Sequence, residues 1–220
     1  MRFSPRWLIF AFIALLTGIA LSVSFAAGFP LTSDPLSVFS GPAPPDCTQE
    51  TNTFAADQDS YIEEGSNSNF GTGTTLQVNN GGGFLEGTIK RTMVRFALPA
   101  LPVGCTVTSA TLRLYNQNAT SGRTIEALRI TEAWQELTVN GNNIPATDGP
   151  AATSQVQGAG QYQDWTVTTQ VQAMFGSNHG FLIRDGTEGG GLFTSAAQQE
   201  YQSREGTNDA RDPELVITWN

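Results

Sequence analysis

The stretch that decides the fold is TMVRFALPALPVGCTVTSATLRLYN, residues 92–116. Two segments of it alternate apolar and other side chains with a period of two, which is the side-chain period of a β-strand. The run between them is rich in proline and glycine, which favour turns. The two inward faces are Val94, Phe96 and Leu98 in the first segment, and Thr108, Ala110, Leu112 and Leu114 in the second. The stretch therefore predicts two strands, each with one solvated face.

The same alternation recurs along the chain. It is present in TLQVNN (75–80), TIEALRI (124–130), GFLIRD (180–185) and PELVITWN (213–220). The stretch that can form a helical turn or two is TTQVQAMFGS (168–177), where Val171 and Phe175 have helical spacing. Many short strands without intervening helices predict an all-β sandwich or barrel with about eight to ten strands in antiparallel sheets.

The N-terminus has the pattern of an export signal. Two arginines precede the apolar run WLIFAFIALLTGIALSVSFAA, and Ser24-Phe25-Ala26 is a plausible cleavage site. We predict a signal peptide over residues 1–26, with an uncleaved membrane anchor as the alternative. Residues 27–45 then form a linker rich in proline and serine, and residues 46–220 form one folded domain. Both alternatives place that domain outside the cell, secreted or at the cell surface.

The charge excludes one class of partner. The chain carries 11 basic and 20 acidic residues, and two of the arginines belong to the leader, so the remainder has a net charge of 9 − 20 = −11. A nucleic acid would be repelled at long range, and the basic surface of a nucleic-acid-binding protein is missing.

Two cysteines, Cys47 and Cys105, are present in the whole chain. In an exported protein such a pair predicts one disulfide, which would hold the start of the domain against its middle. Two unpaired thiols are the alternative.

The sequence offers little catalytic chemistry. His179 is the one histidine, and no G-x-S-x-G motif accompanies it. Paired carboxylates of a glycosidase would have to come from Glu132, Glu136, Glu200 and Glu205, which no spacing brings together. A polysaccharide lyase would need a histidine or tyrosine base beside groups that neutralise the substrate carboxylate. We predict that the domain is not an enzyme.

Aromatic and acidic residues suggest binding instead. Sugars stack on flat aromatic rings, and the predicted ligand-binding aromatics are Tyr115, Trp134, Trp165 and Tyr201. The alternative for each is packing in the core. Asp57 and Asp59 lie two residues apart in AADQDSY, so on a strand they share a face and could bind a structural Ca²⁺. A solvated strand edge is the alternative there.

Five motifs in order carry a family resemblance. They are DSYIEEGSNSNFGTGTTLQV, RTMVRFALPALPVGCTVTSATLRLY, ITEAWQELTVNGNNIPAT, DWTVTTQVQAMFGSNHGFLIRD and EYQSREGTNDARDPELVIT. Together they resemble the DNRLRE domain, also classified as carbohydrate-binding module family 96, over residues 54–219. The resemblance implies a jelly-roll β-sandwich of two antiparallel sheets in a secreted or surface protein. Characterised members of that family are described as alginate binders.

The chain departs from the family pattern in three places. Ala97 replaces an aspartate, Cys105 replaces an alanine, and Asn140-Gly141-Asn142 stands where a Thr-Trp-Asn element is common. The net charge disfavours a polyuronate ligand such as alginate. A local basic patch would act in the opposite sense, and its candidates are Lys90, Arg91, Arg95 and Arg123.

The motif Ser203-Arg204-Glu205 precedes the last predicted strand and matches the closing motif of the family. Adjacent residues of a strand face opposite sides, so Arg204 and Glu205 are not expected to form one cluster. We predict that Arg204 is a structural brace that forks onto a carboxylate such as Glu136, with ligand binding as its alternative role.

These features predict a secreted, non-catalytic module that binds an extracellular or cell-wall polysaccharide or attaches to a matrix. The alternative is a structural subunit that self-associates into an extracellular fibre or cell-surface layer through exposed strand edges. A membrane is a partner only if the leader is not cleaved.

Overall fold

A computed structural model describes residues 47–82, 87–189 and 195–220. The predicted leader and linker lie outside these ranges. Within them, no helix is long and apolar enough to cross a membrane.

The described chain consists of ten β-strands, one short α-helix and one 3-10 turn, which confirms the all-β class and the expected strand number. The 3-10 turn is Asp209–Arg211. The other elements, in chain order, are β1 Glu50–Glu63, β2 Thr75–Asn80, β3 Ile89–Phe96, β4 Val107–Ala119, β5 Thr124–Ile130, β6 Thr147–Gln155, β7 Gln161–Thr166, α1 Thr168–Met174, β8 Phe181–Asp185, β9 Gln198–Gln202 and β10 Glu214–Trp219.

The strands join in one hydrogen-bonded sheet rather than in the two antiparallel sheets of the jelly-roll β-sandwich that the family resemblance implies. Its order is β1-β10-β4-β9-β2-β3-β8-β5-β6, with β7 attached to β4. β1 also pairs with β3, so β1, β10, β4, β9, β2 and β3 close a six-stranded barrel. Closure is possible because β1 is 14 residues long and changes partner at a bulge between Ala56 and Gln58.

The main core lies between the inward faces of these strands. It contains the apolar residues of β4 predicted from the alternation, together with Phe96, Trp165, Phe181 and Tyr201. Helix α1 covers one part of this core through Val171 and Met174, within the stretch for which the sequence predicts a helical turn.

A second, smaller core lies on the opposite face of β3, β5 and β8. Its members are Ile62, Met93, Leu128, Ile130, Trp134, Val139 and Leu182. The loop that follows β5 covers this face. Met93 is therefore fully buried, although it points away from the main core. Strand β3 is therefore covered on both sides.

The predicted disulfide Cys47–Cys105 is formed, with the two Cα atoms 5.3 Å apart. It closes a loop with a sequence separation of 58 residues and joins the start of the described chain to the segment before β4. Loop closure of this length stabilises a fold by about 4 kcal/mol in the chain-entropy model.

Candidate functional site

The outer face of β4 and β7 carries two tyrosines side by side. The antiparallel register places Tyr115 opposite Tyr162, and their ring centroids are 5.5 Å apart with the planes at 87°. Both rings are half-buried, because they stand on the side of the strands that faces solvent. Such an edge-to-face pair holds both rings in fixed orientations at the surface.

Two guanidinium groups lie over these rings. Arg113 is 4.3 Å from the centroid of Tyr162, and Arg211 is 4.6 Å from the centroid of Tyr115. We call Tyr115, Tyr162, Arg113 and Arg211 the tyrosine patch. Cation–π contacts of this kind hold long side chains in place at a surface.

The 3-10 turn before β10 supports the patch. The hydroxyl of Tyr162 lies 3.1 Å from the carbonyl oxygens of both Ala210 and Asp212. Burial is the main cause that raises the pKa of Tyr162 to about 12. The phenol is therefore a hydrogen-bond donor at neutral pH, and it ties the turn that carries Arg211 to β7.

A polar cleft of about 330 Å³ adjoins the patch and shares Tyr162 with it. It lies between the end of β6 and the start of β7, at the two free edges of the described sheet. Amide side chains dominate its lining, from Gln155, Gln157, Gln161 and Gln163. Amides both donate and accept hydrogen bonds, so the cleft can match neighbouring hydroxyl groups of a sugar.

Three of the predicted ligand-binding aromatics are buried. Trp165 and Tyr201 are fully inside the main core, and Trp134 is 6% exposed in the second core. Their polar atoms are used internally: Trp134 Nε1 donates to the His179 carbonyl, Trp165 Nε1 to the Ile125 carbonyl, and the Tyr201 hydroxyl to Gln163 Oε1. The alternative of core packing therefore describes these three rings, and Tyr115 is the one predicted aromatic that is not buried.

Tyr162 and Arg211 were not predicted as site residues. A signal for Tyr162 is present in QYQDWT, where the alternation puts Gln163 and Trp165 inside and Tyr162 outside. Arg211 gives no such signal, because the 3-10 turn that carries it is placed by tertiary contacts.

Arg204 stands at the centre of a second cluster. Its Nε and Nη2 atoms donate to Glu136 Oε1 and Oε2 at 3.0 and 2.9 Å, which is the predicted fork. Its Nη2 atom also lies 2.9 Å from Glu205 Oε1. The expectation that Arg204 and Glu205 cannot share a cluster is wrong, because they lie in a turn between β9 and β10 rather than in a strand.

Asp59 of β1 completes this cluster. It is 1% exposed, accepts from Ser203 Oγ at 2.9 Å and accepts from the Arg204 backbone N–H at 2.8 Å. Its own N–H donates to Glu136 Oε1. Burial is the main cause that raises the pKa of Asp59 from 3.8 to about 7. The cluster thus joins β1, the loop after β5 and the turn before β10.

The predicted metal ligands Asp57 and Asp59 are divided between different partners. Asp57 forms a bidentate pair with Arg95 at 2.8–3.2 Å, while Asp59 binds Ser203 and Arg204. The described carboxylates that do come within 4.8 Å of one another are Asp59, Glu136 and Glu205, and Arg204 forms salt bridges with the last two. A Ca²⁺ ion on Asp57 and Asp59 stays a prediction, which unfolding with and without a chelator would test.

Comparison with protein families agrees with this architecture. The model of carbohydrate-binding module family 96 matches residues 50–219, nearly all of the described chain. A search of the curated proteins finds no match. The matched range contains both clusters, the tyrosine patch and the carboxylates around Arg204.

Proposed function

Because the chain belongs to carbohydrate-binding module family 96, we propose that it is a non-catalytic protein that binds a polysaccharide outside the cell. The tyrosine patch is the observation that carries the proposal. It combines two half-buried tyrosine rings at the surface, fixed guanidinium groups and an adjoining amide-lined cleft, which are groups that recognise sugars.

The position of the patch supports binding of a long chain. Tyr115 and Tyr162 lie on an open sheet surface, and the cleft continues from Tyr162 along the edge of β7. A polysaccharide can lie across such a surface without its ends having to enter a pocket. The disulfide supports the extracellular location, because such bonds persist in oxidising compartments.

Affinity electrophoresis and titration calorimetry against soluble polysaccharides test the proposal. We expect Tyr115→Ala to weaken binding about five-fold, since loss of one aromatic contact removes about 1 kcal/mol. Phe175→Ala is the matched control, because Phe175 is also an exposed aromatic but lies beside Val107 at the far end of β4. The distance from Tyr115 along the strand is about 27 Å.

Two results would contradict the proposal. One is equal loss of affinity in Tyr115→Ala and Phe175→Ala, which would show that the patch is not the site. The other is release of reducing ends from a polysaccharide by the unmodified chain, which would show that the protein is an enzyme.

A further inference from the structure

The ion pairs of the domain limit which sugars the site can take. All nine basic residues beyond the leader lie in the described ranges, and eight of them are within 2.9 Å of a carboxylate oxygen. These eight are Lys90, Arg91, Arg95, Arg113, Arg123, Arg129, Arg184 and Arg204. Each positive charge is therefore cancelled locally before any ligand arrives.

The basic patch considered from the sequence is included in this set. Lys90 pairs with Glu63, Arg91 with Glu188, Arg95 with Asp57, and Arg123 with the buried Asp185. A polyanion would have to displace these carboxylates to reach the guanidinium groups. The four residues consequently offer no site for a polyuronate.

Arg211 is the exception, since it forms no salt bridge within the described residues. Its surroundings are nevertheless acidic. Four carboxylates lie beside Arg113 and Arg211, two of them in contact with Arg113 and two close to Arg211 in the sequence, so these six residues together carry a charge of 2 − 4 = −2. These carboxylates are Asp164, which contacts Arg113 at 3.2 Å, Glu214, which contacts it at 2.8 Å, and Asp209 and Asp212 of the 3-10 turn and its end.

The cleft beside the patch carries the complementary chemistry for uncharged sugars. Gln155, Gln157 and Gln161 are exposed, and an amide pairs with two neighbouring hydroxyls without introducing charge. An amide also does not attract a carboxylate at long range, whereas a lysine or arginine does. The ring of Tyr162 borders both surfaces, so one ligand can contact the patch and the cleft.

We propose that the ligand of this site is an uncharged polysaccharide that lies along Tyr115 and Tyr162 and is hydrogen-bonded by Gln157 and Gln161, and that polyuronates are excluded. This inference rests on the proposed function and narrows its ligand class. It separates the chain from relatives that would bind an acidic polysaccharide through basic side chains.

A panel of neutral and acidic polysaccharides tests the inference. The full chain is run in gels that contain β-glucan, xylan, galactomannan, alginate or polygalacturonate, and affinities are then measured in 50 and 500 mM NaCl. We expect at least one neutral polymer to bind ten-fold or more tightly than either polyuronate. Its affinity should change less than two-fold between the two salt concentrations, because no ion pair forms on binding.

The outcomes separate the two proposals. Tighter binding of a polyuronate, lost at high salt, overturns the inference and leaves the carbohydrate-binding function intact. Retention by none of the polymers overturns the carbohydrate-binding function, and the inference falls with it.

Two sets of variants test which residues make the site select uncharged polysaccharides. Gln157→Ala with Gln161→Ala should weaken binding of the neutral polymer at least five-fold, and Gln135→Ala is the control because this exposed glutamine lies in the loop after β5. Asp164→Lys with Asp209→Lys changes the charge of this group from −2 to 4 − 2 = +2 and should introduce polyuronate binding that 500 mM NaCl abolishes. Unchanged affinity in the first variant, or continued exclusion of polyuronates by the second, overturns the assignment.

Discussion

Arg204 shows how one residue can link three distant parts of a chain. It donates to Glu136 in the loop after β5 and pairs with Glu205 in its own turn, and its backbone N–H binds Asp59 of β1. Three carboxylates would repel one another here without the guanidinium group. The nearby carboxylates therefore raise the pKa of Arg204 further above its usual value, chiefly through the hydrogen bonds to Glu136.

Replacement of Arg204 by alanine tests this role. We expect the free energy of unfolding to fall by about 2 kcal/mol, since breaking a fully buried pair costs more and an exposed pair costs less. The side chain is 36% exposed, between those limits. The melting temperature should drop by roughly 4–8 °C, measured by calorimetry.

Arg184→Ala is the control for this substitution. Arg184 is similarly exposed at 39% but pairs with the single carboxylate of Glu126. Its loss should cost less than about 1 kcal/mol. If Arg204→Ala leaves the melting temperature unchanged and abolishes sugar binding, Arg204 is a ligand-binding residue and the brace is the wrong interpretation.

Asp59 stabilises the fold more at acidic pH than at alkaline pH, which is the reverse of what a carboxylate in a salt bridge does. The pKa of its carboxyl group rises to about 7 in the folded chain, from a usual value of 3.8. Ser203 Oγ contacts both Asp59 Oδ1 at 2.9 Å and Glu205 Oε2 at 2.6 Å, and a hydroxyl has one proton to donate. A proton retained by one of the two carboxyl groups satisfies the second contact.

The sign of the effect follows from linkage. Between about pH 4 and pH 7 the folded chain holds a proton that the unfolded chain has lost, so the contribution of Asp59 to stability is full below pH 4 and disappears as the pH rises through 7. Urea unfolding at pH 5 and pH 8 should show a loss of about 2 kcal/mol from this group. Asp59→Asn should remove that part of the difference, and an identical pH dependence in the variant would refute the assignment.

At the scale of elements, hydrogen bonds and close packing hold the loop after β5 over the second core. Asn69 Nδ2 donates to the carbonyl oxygens of Glu136 and Val139, both at 2.7 Å, and Phe70 stacks on Tyr61 with centroids 4.1 Å apart. Gly141 lies so close to β1 that a Cβ atom there would be 1.8 Å from the Glu63 carbonyl oxygen. Any side chain at Gly141 would therefore clash with the backbone of β1.

Gly71 gives the sharpest test of this packing. A Cβ atom at Gly71 would lie 2.2 Å from the carbonyl oxygen of Glu136, so Gly71→Ala must move the loop that holds the Arg204 fork. We expect a loss of about 2–3 kcal/mol, typical of overpacking against a rigid backbone. Chemical denaturation would measure it. Gly176→Ala, where the nearest atom is 3.7 Å away, should change stability by much less, and equal effects would contradict the model of a fixed loop.

At the scale of the whole molecule, barrel closure leaves two free edges among the described strands. Strand β6 pairs with β5 alone and β7 with β4 alone. Pro150 of β6 has no backbone N–H group, so it interrupts the row of hydrogen-bond donors along this strand. A proline in an edge strand protects that edge from pairing with another chain. Self-association through strand edges, the alternative considered from the sequence, therefore meets a barrier at β6, and its status stays that of a prediction.

Much of the fold could be predicted because β-alternation is local. The inward faces of β4 and β10, the helical turn in residues 168–177 and the pairing of Cys47 with Cys105 follow from patterns that one strand or one pair of residues carries. The fork from Arg204 to Glu136 was also predictable, because the planar guanidinium group matches the two oxygens of a carboxylate.

The sequence by itself determined that this protein is all-β and which residues of a strand share one face, and it predicted the disulfide between Cys47 and Cys105. Only the tertiary structure decided that β1 closes a barrel, that Trp134, Trp165 and Tyr201 are buried, and that Tyr115 meets Tyr162 at the surface. The physical reason is that alternation separates two faces of a strand but does not say what covers the second face. Strand register and loop placement, which depend on contacts between residues far apart in sequence, supply that information.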